Sequence, residues 1–169
     1  MEWCEIMREN KEHLVKSIFK RDRIVTVEDL CKEVGVKEPM IRRYIGNIEA
    51  VSSINCNSKY YLLPDFNTFK ESELIEIDGK VFYKGGTLQS ALCYIVNQSP
   101  CGLDAGEIKD RLKTLVSALL PKMVSDGKVF RRKIAGVRGF VYLSLDGAVR
   151  KKQIAARKES LIQKTDTAT

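Results

Sequence analysis

The feature that most constrains the fold of this 169-residue chain is the stretch 26–48, TVEDLCKEVGVKEPMIRRYIGNI, which reads as two short helices joined by a tight turn. Thr26 is placed to cap the first helix. Asp29, three residues on, is placed to reach back to the freed backbone N–H in a capping-box pattern. Leu30 and Val34 lie one turn apart and face inward. Gly35 supplies the turn, because a residue without Cβ enters left-handed conformations at little cost, and Val36 plugs the corner. In the second helix Ile41, Tyr44, Ile45 and Ile48 recur at spacings of three and four and define one apolar face. Lys37, Met40, Arg42, Arg43 and Asn47 are left for its other sides. Paired arginines beside a one-sided apolar stripe suit a helix laid along a DNA groove. They equally suit an ordinary helical hairpin with two solvated arginines.

The flanking segments extend this pattern. Residues 2–20 fit a helix with Trp3, Met7, Leu14, Val15, Ile18 and Phe19 as its stripe, interrupted around Asn10. Residues 23–25 form a short extended piece. After Ile48, AVSSINCNSKYYLLP reads as a β-hairpin: Val51 and Ile54 on one arm, residues 60–63 on the other, and 55–58 as the turn. Lys59 is the cation of this hairpin. Helix, short strand, helix, turn, helix, hairpin is the order of a winged helix, with the hairpin as the wing. Pro64 ends the unit. Residues 66–73 lead into LIEIDGKVFY, where Asp78-Gly79 between apolar runs signals a type I′ hairpin, whose two central residues need positive φ.

The second half repeats the first in order, though not in letters. Thr87 caps a helix whose Leu88, Leu92, Ile95 and Val96 face inward, and Ser99-Pro100-Cys101-Gly102 stops it. Asp104 and Glu107 form another capping-box pair before Ile108 and Leu112. A third helix is expected from Thr114, with Val116, Leu119, Leu120 and Met123 as its apolar positions. Pro121 implies that this helix is either kinked or shorter, because proline lacks an N–H and clashes with the preceding turn. Asp126-Gly127 turns the chain into VFRRKI, AGVRG and FVYLS, a second wing bearing Arg131, Arg132, Lys133 and Arg138. The expected fold class is therefore α+β, mostly helical, with two tandem winged helices at 1–65 and 84–145. A hairpin-bearing linker at 66–83 joins them, and a basic helix or tail follows at 146–169. That tail has only a weak stripe (Val149, Ile154, Leu161, Ile162) and a frayed end from Thr165. It suits a solvated face, a connector or a phosphate-contacting arm.

Charge separates the halves. Residues 1–83 carry 13 Lys/Arg against 15 Asp/Glu, a net of −2, and residues 84–169 carry 16 against 7, a net of +9. The basicity of the second half favours a polyanionic partner. Five scattered cysteines argue against a disulfide framework and for a reducing compartment. The N-terminus does not read as a signal peptide, and no apolar run approaches the ~20 residues that span a bilayer. A cytoplasmic, nucleoid-associated location is expected. There is no P-loop, GxGxxG or metal-ligand spacing, and the single histidine, His13, has no clustered partner. Catalysis, a metal and a cofactor are accordingly not expected.

Two candidate DNA surfaces emerge. On the helix from Lys37, Arg42 and Arg43 are suited to guanine edges or phosphates and Asn47 to adenine, with Lys37, Met40 and, on the first wing, Lys59 as further candidate contacts, whereas Glu38 would repel a phosphate. On the second wing, strand alternation puts Arg131 and Lys133 together and Arg132 opposite, with Arg138 at the tip. A basic edge hairpin that resists edge-to-edge pairing is the bland alternative.

YYLLPDFNTF after the first unit, IEIDGKVFYKGGTL between the units, and RGFVYLS followed by RKKQIAARK together resemble the N-terminal region of archaeal insertion-sequence transposases. The resemblance implies recognition of an element's terminal repeats by double-stranded DNA binding. It also implies a following acidic-triad nuclease domain, for which this chain has no counterpart. A dimeric transcription regulator bound to a palindrome is an alternative. So is a tandem winged-helix scaffold for protein–protein contacts, which the near-neutral first half and the arginine-free third helix of the second unit favour.

Overall fold

The computed structural model describes residues 2–167 as an α+β protein, about 53% helical, with seven α-helices and three small antiparallel sheets among the described residues. The chain divides between Gly86 and Thr87 into two compact units.

The first unit comprises α1 (Glu2–Asp22), β1 (Ile24–Thr26), α2 (Val27–Val34), α3 (Glu38–Asn47), β2 (Val51–Ser52), β3 (Tyr60–Leu62), β4 (Leu74–Ile77) and β5 (Lys80–Tyr83). Thr26 caps α2, its Oγ1 accepting from the Asp29 N–H at 3.1 Å. The reciprocal contact differs from expectation: the Asp29 carboxylate accepts the Thr26 hydroxyl proton at 2.6 Å. Thr26 also ends β1 opposite Tyr60, so its backbone belongs to the sheet and its side chain makes the return bond. Gly35, at φ 69°, closes α2.

The core gathers Val15, Ile18 and Phe19 of α1 with Leu30, Ile41, Tyr44, Ile45 and Ile48. Only the second half of α1 joins it. Trp3, Met7 and Leu14, expected in the stripe, are 81%, 56% and 42% exposed.

β1, β3 and β2 form a sheet in that order, and the turn from β2 to β3 passes through three consecutive left-handed residues, Cys56, Asn57 and Ser58. The β4–β5 hairpin is an integral part of this unit rather than a free linker. Phe82 is fully buried and bridges to Ser53, and the Ile54 N–H donates to the Val81 carbonyl at 2.8 Å. The buried Asn55 amide seals the junction, donating to the Gly79 carbonyl at 2.8 Å and accepting from the Val81 N–H at 2.9 Å. Asp78 and Gly79 both take the positive φ that their hairpin turn requires.

The second unit comprises α4 (Leu88–Gln98), β6 (Leu103–Asp104), α5 (Ala105–Leu112), α6 (Leu119–Ser125), β7 (Phe130–Arg132), β8 (Val141–Leu143) and α7 (Gly147–Asp166). Its sheet order, β6-β8-β7, matches that of the first unit: the short strand before the paired helices lies against the last strand. Asp104 and Glu107 complete a reciprocal capping box. The helix expected from Thr114 starts instead at Leu119, which places Pro121 in the first turn of α6. Backbone N–H groups there have no intrahelical acceptor, so a missing one costs little.

α7 is no appended tail. The Gln153 side chain, 1% exposed, donates to the Val96 and Ser99 carbonyls at 2.8 and 2.9 Å and accepts from the Ser144 N–H at 2.9 Å. Arg157 donates to the Cys101 and Gly102 carbonyls at 3.1 and 2.9 Å and pairs with Glu107. Ile154 and Leu161 pack against Ile134, Val141 and Leu143, whereas Val149 and Ile162 are exposed. Thr165 and Asp166, expected to fray, complete the helix; Ala168 and Thr169 lie outside the described residues. The five cysteines are free thiols. No helix among the described residues is long and apolar enough to cross a membrane.

Candidate nucleic-acid interface

α3 turns Ile41, Tyr44 and Ile45 into the core and leaves Lys37, Arg42, Arg43 and Asn47 exposed. Their availability differs. Arg42 donates through Nε to Glu38 at 2.8 Å, reaches the same carboxylate through Nη2 at 2.7 Å, and lies 3.4 Å from the Tyr61 hydroxyl. The Glu38 carboxylate raises the already high pKa of this guanidinium, and any phosphate must compete with Glu38 for it. Asn47 is held from the other side, donating to Glu12 of α1 at 3.2 Å. Met40 is half-buried and packs against the core. Lys37 precedes the helix as its N-cap residue. Arg43 alone on α3 is a well-placed, unengaged cation among the described residues. Lys59 lies 6.0 Å from the ring centroid of Tyr60, and Lys80, from the β4–β5 hairpin, lies 4.7 Å from the same ring.

The hairpin β7–β8 presents a denser charge. β7 is an edge strand opposite β8, with Arg131 facing Tyr142 and Arg132 facing Val141. Period-two alternation therefore separates them. Arg131 and Lys133 share one face, where both sit over the Phe140 ring, at 4.3 and 5.6 Å from its centroid. Arg132 falls on the face that Val141 turns to the core and stays exposed because nothing pairs with the far edge of β7. Arg138 is exposed in the 133–140 loop, between the left-handed Gly136 and Gly139. None of these four cations has an acidic partner among the described residues. Aromatic stacking leaves the outward N–H groups of a guanidinium available to an anion.

Two further cations belong beside this hairpin and are not evident from the sequence. Lys158 and Lys164 of α7, with Leu161 and Ile162, line a groove against Ile134, Ala135 and Gly136 of the hairpin loop. Only the seating of α7 brings them there, and the spacing of Ile154 and Leu161 is the one trace of it. Arg150 serves structure instead, stacking 4.4 Å from the Phe130 ring centroid and donating to the Leu145 carbonyl at 3.1 Å. Among the described residues, no group of three or more His, Cys, Asp and Glu side chains is placed to hold a metal ion.

No protein-family model, curated protein or solved structure matches this chain.

Proposed function

We propose that this chain is a double-stranded DNA-binding module built of two tandem winged helices, the second supplying most of the grip. Support for the winged-helix reading comes from the repeated order of helix, strand, two helices and hairpin, with matching sheet orders β1-β3-β2 and β6-β8-β7. The observation that carries the DNA reading is the second hairpin: Arg131, Arg132, Lys133 and Arg138 are exposed together without an ion-pair partner among the described residues, in a half of the chain with net charge +9. A phosphate backbone would neutralise such a cluster; guarding an edge strand against pairing is the plainer use of it.

The finer reading, recognition of transposon ends by a transposase-like protein, rests on the sequence resemblance and takes an asymmetric site as its signature. A transcription regulator would select a palindrome. The rival scaffold reading draws on α3, where Arg42 and Asn47 are already engaged within the chain.

Fluorescence anisotropy with mixed duplex DNA across a salt series tests the proposal. Binding should weaken steeply with salt. Arg131→Ala/Arg132→Ala/Arg138→Ala should lower the slope of log K against log salt by about 2–3, at roughly 0.9 for each phosphate no longer neutralised. Absence of binding at low salt would exclude the DNA reading and leave the scaffold. Selection of bound sequences then separates a transposon end from a palindrome.

A further inference from the structure

The first half of α1 is amphipathic without a surface to cover. Spacings of three, four and seven put Trp3, Ile6, Met7, Asn10 and Leu14 on one side of the helix, and the four apolar side chains are 81%, 52%, 56% and 42% exposed. The core-facing residues Val15, Ile18 and Phe19 occupy a neighbouring sector, so this stripe is extra to folding. A contiguous exposed apolar stripe on a charged helix marks an interaction site.

Charge identifies the occupant. Residues 2–10 hold Glu2, Glu5 and Glu9 against Arg8, whereas 11–22 hold Lys11, Lys16, Lys20 and Arg21 against Glu12 and Asp22. A helix acidic at its start and basic at its end is complementary to itself when reversed. On one flank of the stripe a twofold near residues 10–11 sets Glu2 opposite Lys20 and Glu9 opposite His13. The same axis sets Ile6 and Met7 against Leu14, and brings Asn10 close to its symmetry mate. A lone polar residue in an apolar seam fixes register at some cost in stability, and an asparagine amide can satisfy its own twin across a twofold.

We propose that this half of α1 is a self-association surface: two copies of the chain pair these helices antiparallel about Asn10, with Trp3, Ile6, Met7 and Leu14 as the seam. The area is small, so the expected dissociation constant is on the order of 10–100 µM.

Sedimentation equilibrium of the full chain without DNA measures it, independently of the DNA reading. Trp3 is the single tryptophan and lies in the seam, so its emission should shift to shorter wavelength as concentration rises. Placing like charges across the twofold, by Glu2→Lys/Glu9→Lys or by His13→Glu/Lys20→Glu, should weaken dimerisation at least tenfold. An equimolar mixture of the two variants should restore it, because each reversed end then meets an opposite charge. That recovery also shows both variants to be folded. A chain monomeric to about 500 µM, or a mixture no better than its parts, overturns the proposal and leaves the stripe to a different partner.

Discussion

Tyr44 fills the core of the first unit with its ring but leaves its hydroxyl buried without a hydrogen-bond partner. A buried donor left unpaired loses its bonds to water and regains nothing, a cost of about 1–3 kcal/mol. Tyr44→Phe removes the group and keeps the ring, so it should stabilise the first unit by about 1 kcal/mol, read as a higher denaturant midpoint at unchanged slope. Arg157 is the opposite case, a buried charge well supplied with partners: Glu107 on one side, the Cys101 and Gly102 carbonyls on the other. Arg157→Ala should cost about 2–3 kcal/mol, below the range for a wholly buried pair because Glu107 remains partly exposed. The pH dependence follows from the same pairing. The Arg157 hydrogen bond holds the Glu107 carboxyl below its ordinary value; burial opposes this and the Asp104 N–H adds to it. A carboxyl with a depressed folded pKa contributes stability that is fully present above its unfolded value, about 4.3. That stability is lost as pH falls through the folded value. The second unit should therefore lose stability on acidification below about pH 4.3, and Glu107→Gln should flatten that loss in urea titrations at stepped pH.

α7 shows what a chain's own periodicity conceals. Its apolar stripe is weak, and the helix is seated chiefly by two polar side chains, Gln153 and Arg157, which are its buried residues. Gln153→Ala would strand the Ser144 N–H and the Val96 and Ser99 carbonyls in a dry site. Destabilisation of about 3 kcal/mol is expected, with loss of amide-exchange protection confined to the second unit. Local signals are legible in the sequence because their causes lie within a few residues. The Thr26 and Thr87 caps, the Gly35 turn, the Asp104–Glu107 box and the Asp78-Gly79 hairpin all sit where residue chemistry puts them. Interactions between residues distant in sequence are not legible. The β4–β5 hairpin reads as a linker because the amide that binds it, Asn55, sits in a turn-like stretch 24 residues from Gly79. Pro121 allows two readings, and the start of α6 is settled by burial of Val116 and Leu120 in the core, not by propensity. The site divides in the same way. Alternation separates Arg131 and Lys133 from Arg132. Met40 is misplaced by the sequence pattern because it lies about 40° from Tyr44 around the helix, at the margin of the apolar face. Lys158 and Lys164 depend on the seating of α7.

Across the whole molecule the two halves differ in charge far more than in architecture: −2 for residues 1–83 and +9 for 84–169. If the chain binds DNA as proposed and both units grip it alike, removing cations from α3 would matter as much as removing them from the β7–β8 hairpin. The geometry points the other way. Arg42 directs its guanidinium at Glu38, so a phosphate that takes it leaves a carboxylate behind, and the net gain in counterion release is small. Arg43 is unengaged, but Glu38 in the first turn of α3 and Glu49 just past its end oppose the approach of a polyanion. Arg42→Ala/Arg43→Ala should accordingly lower the salt slope by less than about 1, against about 2–3 for Arg131→Ala/Arg132→Ala/Arg138→Ala. Anisotropy titrations of both variants on one duplex, over the same salt series, make the comparison. A larger loss from the α3 pair would move the dominant grip to the first unit and would mean that Glu38 swings aside on binding. Glu38→Gln then distinguishes the two cases. It should tighten binding markedly if α3 lies on the phosphates, and leave it nearly unchanged if the second hairpin carries the load.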